Sequence, residues 1–296
     1  MALKYMKNRK KILLIDMANM SIRTGCSCFR DDPTDKTYNN WKCEILANLA
    51  GLVQTTGANS IILCQEGKKN WRYEVYDDYK SNRKEAKAKN KLDFDTFYPM
   101  ADDFCDKMKK YIPNVYQLKV EGAEGDDLIA VLTKWLTPAY EVICVSTDRD
   151  FYQLLKYNGY KQYNPIKRQY VQVINPERYL LEKIVVGDKG DGIPHVKPKV
   201  SVKTAADIVE AGLDDWLQNE SQQIRDNFER NKKLIDFDCI PIPVQTKIME
   251  EFKKLRFSGM SMRDMSEFLM AVGLANKFDK IPEYANTFIK MERIDV

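Results

Sequence analysis

Four short apolar runs, separated by segments of helical period, constrain this sequence more than any other feature. They are Lys11–Ile15, Ser60–Cys64, Val115–Val120 and Glu141–Val145. Each is short and largely apolar, as a strand buried on both faces must be. Between them, Trp41–Gln54, Phe97–Tyr111 and Asp126–Leu136 repeat apolar residues at helical spacing. Strand alternating with helix predicts an α/β fold, a mostly parallel central sheet with helices on both faces. A polar stretch, Tyr160–Val173, reads as a hairpin turning at Asn164-Pro165 or Lys167-Arg168.

After about residue 175 the pattern changes. Pro176 opens a helix (PERYLLEKIVVG) in the first-turn position that proline tolerates. A Gly/Pro-rich stretch, Gly187–Pro198, follows, and helical patterns then dominate around 205–211, 214–233, 244–255 and 262–272. The expected organisation is an α/β domain over 1–175 and a helical C-terminal domain over 176–296. The Met- and Phe-rich run SMRDMSEFLMAVGL reads as core.

Composition removes several functions. Lys+Arg 47 against Asp+Glu 43 leaves a net charge of +4, so polyanion binding must come from charge segregated along the chain. No run approaches a membrane span, and the basic Met1–Lys11 leads directly into a strand without a signal-peptide core. A cytoplasmic protein is expected. The seven cysteines form no CxxC pair and read as reduced thiols. His195 is the sole histidine, which removes Ser-His-Asp, Cys-His and multi-histidine metal chemistry unless that residue carries them alone. No GxxxxGK[ST] loop is present, and Gly187, Gly190 and Gly192 do not have GxGxxG spacing.

The acids are not scattered. Asp16 ends the first run and Glu66 follows the second. Glu124, Asp126 and Asp127 follow the third, and Asp148 and Asp150 the fourth. In a parallel sheet these strand ends share one edge, where ligands bind. Each acid has a plain structural reading: Asp126 or Asp127 as a helix cap, Asp148 in an Asx turn. Together, like charges aimed at one place repel unless divalent cations sit among them. Oxygen ligands without His or Cys favour Mg²⁺ or Mn²⁺ over zinc. Asp188 and Asp191, in GDKGDGIP, form a further pair in the turn after the Pro176 helix.

The bases are segregated too. From Lys80 to Lys91 the chain carries six basic residues and one acid, with Lys80, Arg83, Lys84 and Lys87 on one helical face. The aromatic stretch Trp71–Tyr79 precedes them. Cations interleaved with aromatics suit a single-stranded nucleic acid.

These residues resemble the metal-dependent 5′ nucleases, a family that includes flap endonucleases, and are most similar to its T-even phage RNase H type. The motifs are LLIDMAN with Asp16, YKSNRK over Tyr79–Lys84, AEGDDLIAVL over Ala123–Leu132, STDRDFYQLL over Ser146–Leu155 and GDKGDGIP over Gly187–Pro194. LIDFDCIP over Leu234–Pro241 resembles the phage enzymes in particular. The resemblance implies two Mg²⁺ ions, which Mn²⁺ can replace. Asp16, Glu124, Asp126, Asp127, Asp148 and Asp150 would hold the first, and Asp188 and Asp191, with Asp148 or Asp150, the second. It implies Lys80 and Arg83 as cations on the scissile phosphate, within a basic arch over 71–95, and Tyr79 as a stacking partner for an unpaired base. Asp188–Glu210 would form a duplex-gripping helix-turn-helix, often built around a monovalent cation near 188–200.

Three departures stand out. Gln65-Glu66 replaces the family's aspartate after the second strand, so Glu66 must reach the metal or leave it to water. The family's glycine turn reads IPHVKPKVSV, with His195 in one glycine position, although Lys197, Lys199 and Lys203 remain to bind phosphates. Gly192 stands where Asn is usual.

The expected activity is metal-dependent 5′→3′ hydrolysis of RNA–DNA hybrids, duplex ends and 5′ flaps, as in removal of replication primers. The expected protein is a monomer, with a single-strand-binding protein and a sliding clamp as family-level partners. In a phage it would work in the host cytoplasm. The alternatives are a silenced binder of forked DNA and a phosphatase with Asp16 as nucleophile, which lacks the second Asp of a DxD motif.

Overall fold

The computed structural model describes residues 9–29, 35–83 and 92–295. Lys84 and Lys87 of the basic run lie outside the described residues.

The first apolar run is the central strand, β1 (Lys11–Asp16), and Ile12 to Ile15 are wholly buried. It pairs in parallel with β2 (Ser60–Gln65) on one side and with β4 (Glu141–Val145) on the other. β3 (Tyr116–Lys119) extends the sheet beyond β2, and β5 (Tyr160–Asn164) extends it beyond β4, both parallel. The short β6 (Gln169–Tyr170) closes it as an antiparallel hairpin partner of β5. The order is β3-β2-β1-β4-β5-β6. The chain therefore builds outward from β1 through β2 and β3, then crosses to β1's other side to lay down β4. The ends of β1 and β4 are the topological switch point of the sheet.

Strand periodicity divides the core in two. Leu13 and Ile15 face a cluster with α1 (Met17–Cys28), α2 (Asp35–Thr56) and α4 (Phe94–Tyr111). Ile12 and Leu14 face the opposite cluster, with α5 (Gly125–Leu136). One short helix, α3 (Arg72–Val75), precedes the basic run. α1 was not foreseen. It begins at Asp16 with no intervening turn, and its buried face is made of Met17, Met20, Ser21, Thr24 and Gly25, small and mixed residues that give little apolar signal.

The helices after residue 176 divide between two places. α6 (Pro176–Val186), α7 (Val202–Gln218) and α8 (Gln222–Ile235) share a third core with Tyr79. α9 (Ile242–Lys254) packs onto the Ile12 face of the sheet. α10 (Met262–Ala271) and α11 (Ile281–Phe288) pack onto the Leu13 face. The Met-rich run is core, with Met265, Phe268 and Leu269 wholly buried. Among the described residues no helix is long and apolar enough to cross a membrane.

Candidate active site

The switch point gathers the acids. Asp16 ends β1 and caps α1, accepting from the Asn19 N–H at 3.0 Å and from the Ser146 hydroxyl at 2.8 Å. Asn19 in turn donates through its amide to Thr147 Oγ1 at 2.9 Å, so α1 is clipped to the segment leaving β4. Asp148 Oδ1 accepts the Asp150 N–H at 2.9 Å, the Asx turn expected of this spacing. From β5, Gln162 buttresses the turn by donating to the Ser146 and Asp148 carbonyls.

These acids feel one another. Burial raises Asp16 to about 6, with Asp148 adding to it against the opposing Asn19 and Ser146 hydrogen bonds. Asp126 is driven well above the carboxylate range by desolvation, then by Asp16 and Asp148. Burial also raises Asp148, against the pull of Lys183. Glu66 opens to solvent at the mouth, yet the protein mass around it, then Glu124 and Asp16, push it up to about 7. The glutamate at the family's aspartate position thus lies within electrostatic reach of the cluster. Gly67 sets its backbone: a Cβ there would stand 1.9 Å from the Val120 carbonyl oxygen, so β2 can end against β3 only without a side chain.

Asp127 has another occupation. It is wholly buried, and its carboxylate receives the Trp71 indole N–H at 3.1 Å, the Glu124 N–H at 3.0 Å and the Arg72 guanidinium at 2.8 Å. Arg72, 2% exposed, also donates to Glu124 Oε2 at 3.1 Å and to the Leu234 carbonyl at 2.9 Å. It thereby joins the base of the basic run, the start of α5 and the end of α8. Sequence reasoning missed Arg72, since a lone arginine among aromatics gives no sign that it will be buried.

The cations meet the acids through the turn after α6. The Lys80 ammonium contacts Glu124 and lies 3.9 Å from Asp191. Arg83 pairs with Asp191 at 2.6 Å. Burial alone would raise Asp191, but Lys80 and Arg83 outweigh it and hold this carboxyl below its usual value. Desolvation opposes the charge on Lys80, and Glu124 and Asp191 override it, so the ammonium is raised. Tyr79 donates to Glu124 at 2.9 Å and Asp191 at 3.2 Å. Tyr79 is 3% exposed, which corrects the expectation of a base-stacking platform: the hydroxyl seeks these two carboxylates and takes the ring inward.

On the other flank, Lys183 of α6 contacts Asp150 and reaches Asp188 at 2.9 Å. A cleft of about 570 Å³ opens there, its lining including Asn19, Asp148, Asp150, Lys183 and Asp188. α8 holds the following turn, as the buried Asn231 amide donates to the Ile184 and Pro194 carbonyls. Lys197 pairs with Glu220, and Lys199 and Lys203 are exposed beyond it; no ion pair among the described residues joins these three to the carboxylates.

The donor set suits a hard divalent cation. It is all oxygen, and burial with mutual repulsion raises Asp16, Asp126, Asp148 and Glu66, a strain that a bound cation relieves. Among the described residues no three carboxylates stand as a ready-made coordination group, and the ammoniums of Lys80 and Lys183 lie among them.

Comparison with known proteins agrees with this architecture. Residues 11–184 match the family model of the 5′-3′ exonuclease, N-terminal resolvase-like domain. Ribonuclease H of Enterobacteria phage T4 is 26% identical over 301 residues, spanning 93% of this chain and 96% of the relative. The thermostable DNA polymerase I of Thermus thermophilus is 25% identical over 293 residues, and there the chain spans only 32% of the relative. Among solved structures, the T5 5′-exonuclease with bound zinc ions superposes with a TM-score of 0.67 at 20% identity, covering 83% of this chain and 99% of that one. The bacteriophage T5 D15 flap endonuclease in a complex with DNA and metal ions gives 0.62 at 19%, covering 94% and 100%. These two establish the fold. The family match over more than half of the chain establishes the kinship: this chain belongs to the 5′-3′ exonuclease family and is a nuclease.

Proposed function

We propose that the chain is a Mg²⁺-dependent 5′→3′ nuclease of RNA–DNA hybrids, duplex ends and 5′ flaps or forks, acting in removal of replication primers. The observation that carries this reading is the sheet edge itself. Mutually repelling carboxylates from β1, the β2 end, α5 and the β4 end share it with Lys80 and Arg83. Similarity to the phage T4 ribonuclease H over nearly the whole of both chains supports the substrate class.

Asp16, Asp126, Asp148 and Glu66 would hold the first ion with Glu124. Asp150, Asp188 and Asp191 would hold a second. Bound Mg²⁺ supplies acidified water and charge stabilisation, which suits a chain whose single histidine is His195. The protein's own part is positioning. Ser146 and Asn19 orient Asp16, the Asx turn aims Asp148, and Arg72 neutralises Asp127 so that the α5 start can carry two further acids. Lys80 and Arg83 draw the phosphodiester toward the acids and stabilise charge that builds on its oxygens. Lys197, Lys199 and Lys203 would track the duplex. A single-strand-binding protein and a sliding clamp are the partners this role implies.

The test is a gel assay on 5′-labelled forked DNA and an RNA–DNA hybrid, with Mg²⁺ and with chelator, beside Asp148→Asn. Metal-dependent release of short 5′-phosphorylated products, reduced about 100-fold or more in the variant, is expected. Undiminished fork binding by Asp148→Asn should accompany it, because repulsion of the phosphate falls. Tight fork binding by the unaltered chain with no cleavage in either Mg²⁺ or Mn²⁺ would overturn the reading.

A further inference from the structure

Three acid-bearing segments are fastened to the end of α8, which contributes no carboxylate to the site. A helix leaves its last carbonyls without partners inside itself. In α8 two of them are taken by buried side chains from elsewhere. The Leu234 carbonyl accepts Arg72 Nε at 2.9 Å, and the Ile235 carbonyl accepts Gln153 Nε2 at 3.0 Å. Arg72 is bound in turn to Glu124 and Asp127. Gln153 also donates to the Asp150 carbonyl at 3.0 Å and accepts the Phe237 N–H at 2.8 Å. The third fastening is Asn231, one turn before Leu234 on the same face of the helix.

Asn231 is wholly buried, and both ends of its amide are bonded. The nitrogen donates to the Ile184 carbonyl at 3.0 Å and the Pro194 carbonyl at 2.8 Å. These carbonyls stand on either side of the turn that carries Asp188 and Asp191, which backbone bonds between Asp188 and Ile193 close at 2.8 and 2.9 Å. The oxygen accepts the Arg230 guanidinium at 2.9 Å, and that guanidinium lies over the Tyr76 ring at 5.1 Å. Four residues beyond Tyr76, the Lys80 N–H donates to the Asp191 carbonyl at 2.8 Å. One amide thus sits between the Asp188–Asp191 turn and the segment that brings Lys80. A buried amide costs free energy unless it is bonded, and a leucine of similar volume would fill the same space. What the amide adds is a fixed place for two carbonyls, and so for the acids between them.

We infer that Asn231 is a positioning residue for the second metal ion. Through the Ile184 and Pro194 carbonyls it sets where Asp188 and Asp191 stand, while Gln153 ties the Asp150 segment to the same helix end. The inference rests on the proposed nuclease reading and adds to it a frame, α8, that fixes the spacing of the second group of acids. Asn231 acts through backbone and takes no part in the chemistry at the scissile bond.

The experiment is a calorimetric titration with Mn²⁺ alone, without nucleic acid and well below the unfolding midpoint, beside kcat and KM on forked DNA. Asn231→Asp keeps the volume and the oxygen that faces Arg230, and it removes both donated hydrogens. The unaltered chain should take up two ions. The variant should bind the first as before and the second about 10- to 100-fold more weakly. At low Mn²⁺ its kcat should fall by a similar factor with KM unchanged, and excess Mn²⁺ should restore it. Arg230→Met, at a half-buried position, loosens the same amide and should weaken the second ion by a smaller factor; it decides the matter if Asn231→Asp does not fold. A lowered urea midpoint with both ion affinities unchanged would show a merely structural role and overturn the inference, as would equal weakening of both ions. Fewer than two ions on an unaltered chain that cleaves would overturn it alone. No cleavage by the unaltered chain would bring down the nuclease reading first, and this inference with it.

Discussion

Arg72 and Asp127 meet at 2.8 Å in a place from which solvent is almost absent, and that ion pair lets an acid-rich helix start sit beside a cluster of carboxylates. Asp127 brings negative charge to the head of α5, where Glu124 and Asp126 already crowd. With Arg72 locked onto it, onto Glu124 and onto the end of α8, the local charge falls and three elements hold one another.

Arg72→Met should therefore destabilise the protein strongly. It strands a buried carboxylate and removes the link to Leu234, at a cost of about 3–5 kcal/mol. A matching drop in the urea midpoint is expected, with the Asp127→Asn/Arg72→Met double variant recovering part of it. Equal stability of the single and double variants would show that the pair carries no coupling.

Stability in chelator should fall as pH rises. Asp16 and Glu66 ordinarily lose their protons near 4 in the unfolded chain, but only at about 6 and about 7 when folded. Between these values the folded state binds more protons than the unfolded one, so unfolding becomes easier with each step from pH 4 to about 7. Asp191 has the opposite shift, and its window lies below the usual carboxylate range, outside this one. Urea midpoints at pH 5 and pH 8 measure the slope, and Asp16→Asn should flatten it.

Lys80→Ala should lower turnover by about 100-fold or more, since it removes charge from the phosphate's approach and leaves Glu124 with Arg72 as its one remaining cation. The salt dependence of fork binding should lose about one unit of slope. An unchanged kcat would take this lysine out of the site.

Gly67→Ala should cost about 1–3 kcal/mol, because the new Cβ collides with the backbone of Val120 and Ala123, just past β3, rather than with a side chain that can move. Cleavage should fall further than stability, as the shift of β2's end drags Glu66 with it. A thermal midpoint within a degree of the unaltered protein would contradict the contact.

Much of this molecule is present in its sequence as local pattern. KILLI, SIILC and EVICV are too apolar and too short to be anything but buried parallel strands, and the acids that follow them are covalently bound to the ends that a parallel sheet aligns. Asp16, Glu66, Asp126 and Asp148 converge for that reason alone. α1 escaped because its buried face mixes Met17 and Met20 with Ser21, Thr24 and Gly25, the last of which leaves room for the Phe97 ring.

What the tertiary structure decided is which charge neutralises which. Nothing along the chain pairs Arg72 with Asp127, Lys80 with Glu124 or Lys183 with Asp150, which lie 55, 44 and 33 residues apart. It also turned Tyr79 inward. Strand and helix follow from short-range sterics and periodicity, which a sequence displays directly. Ion pairs and buried hydroxyls follow from desolvation, whose cost exists only once the folded chain has removed the water.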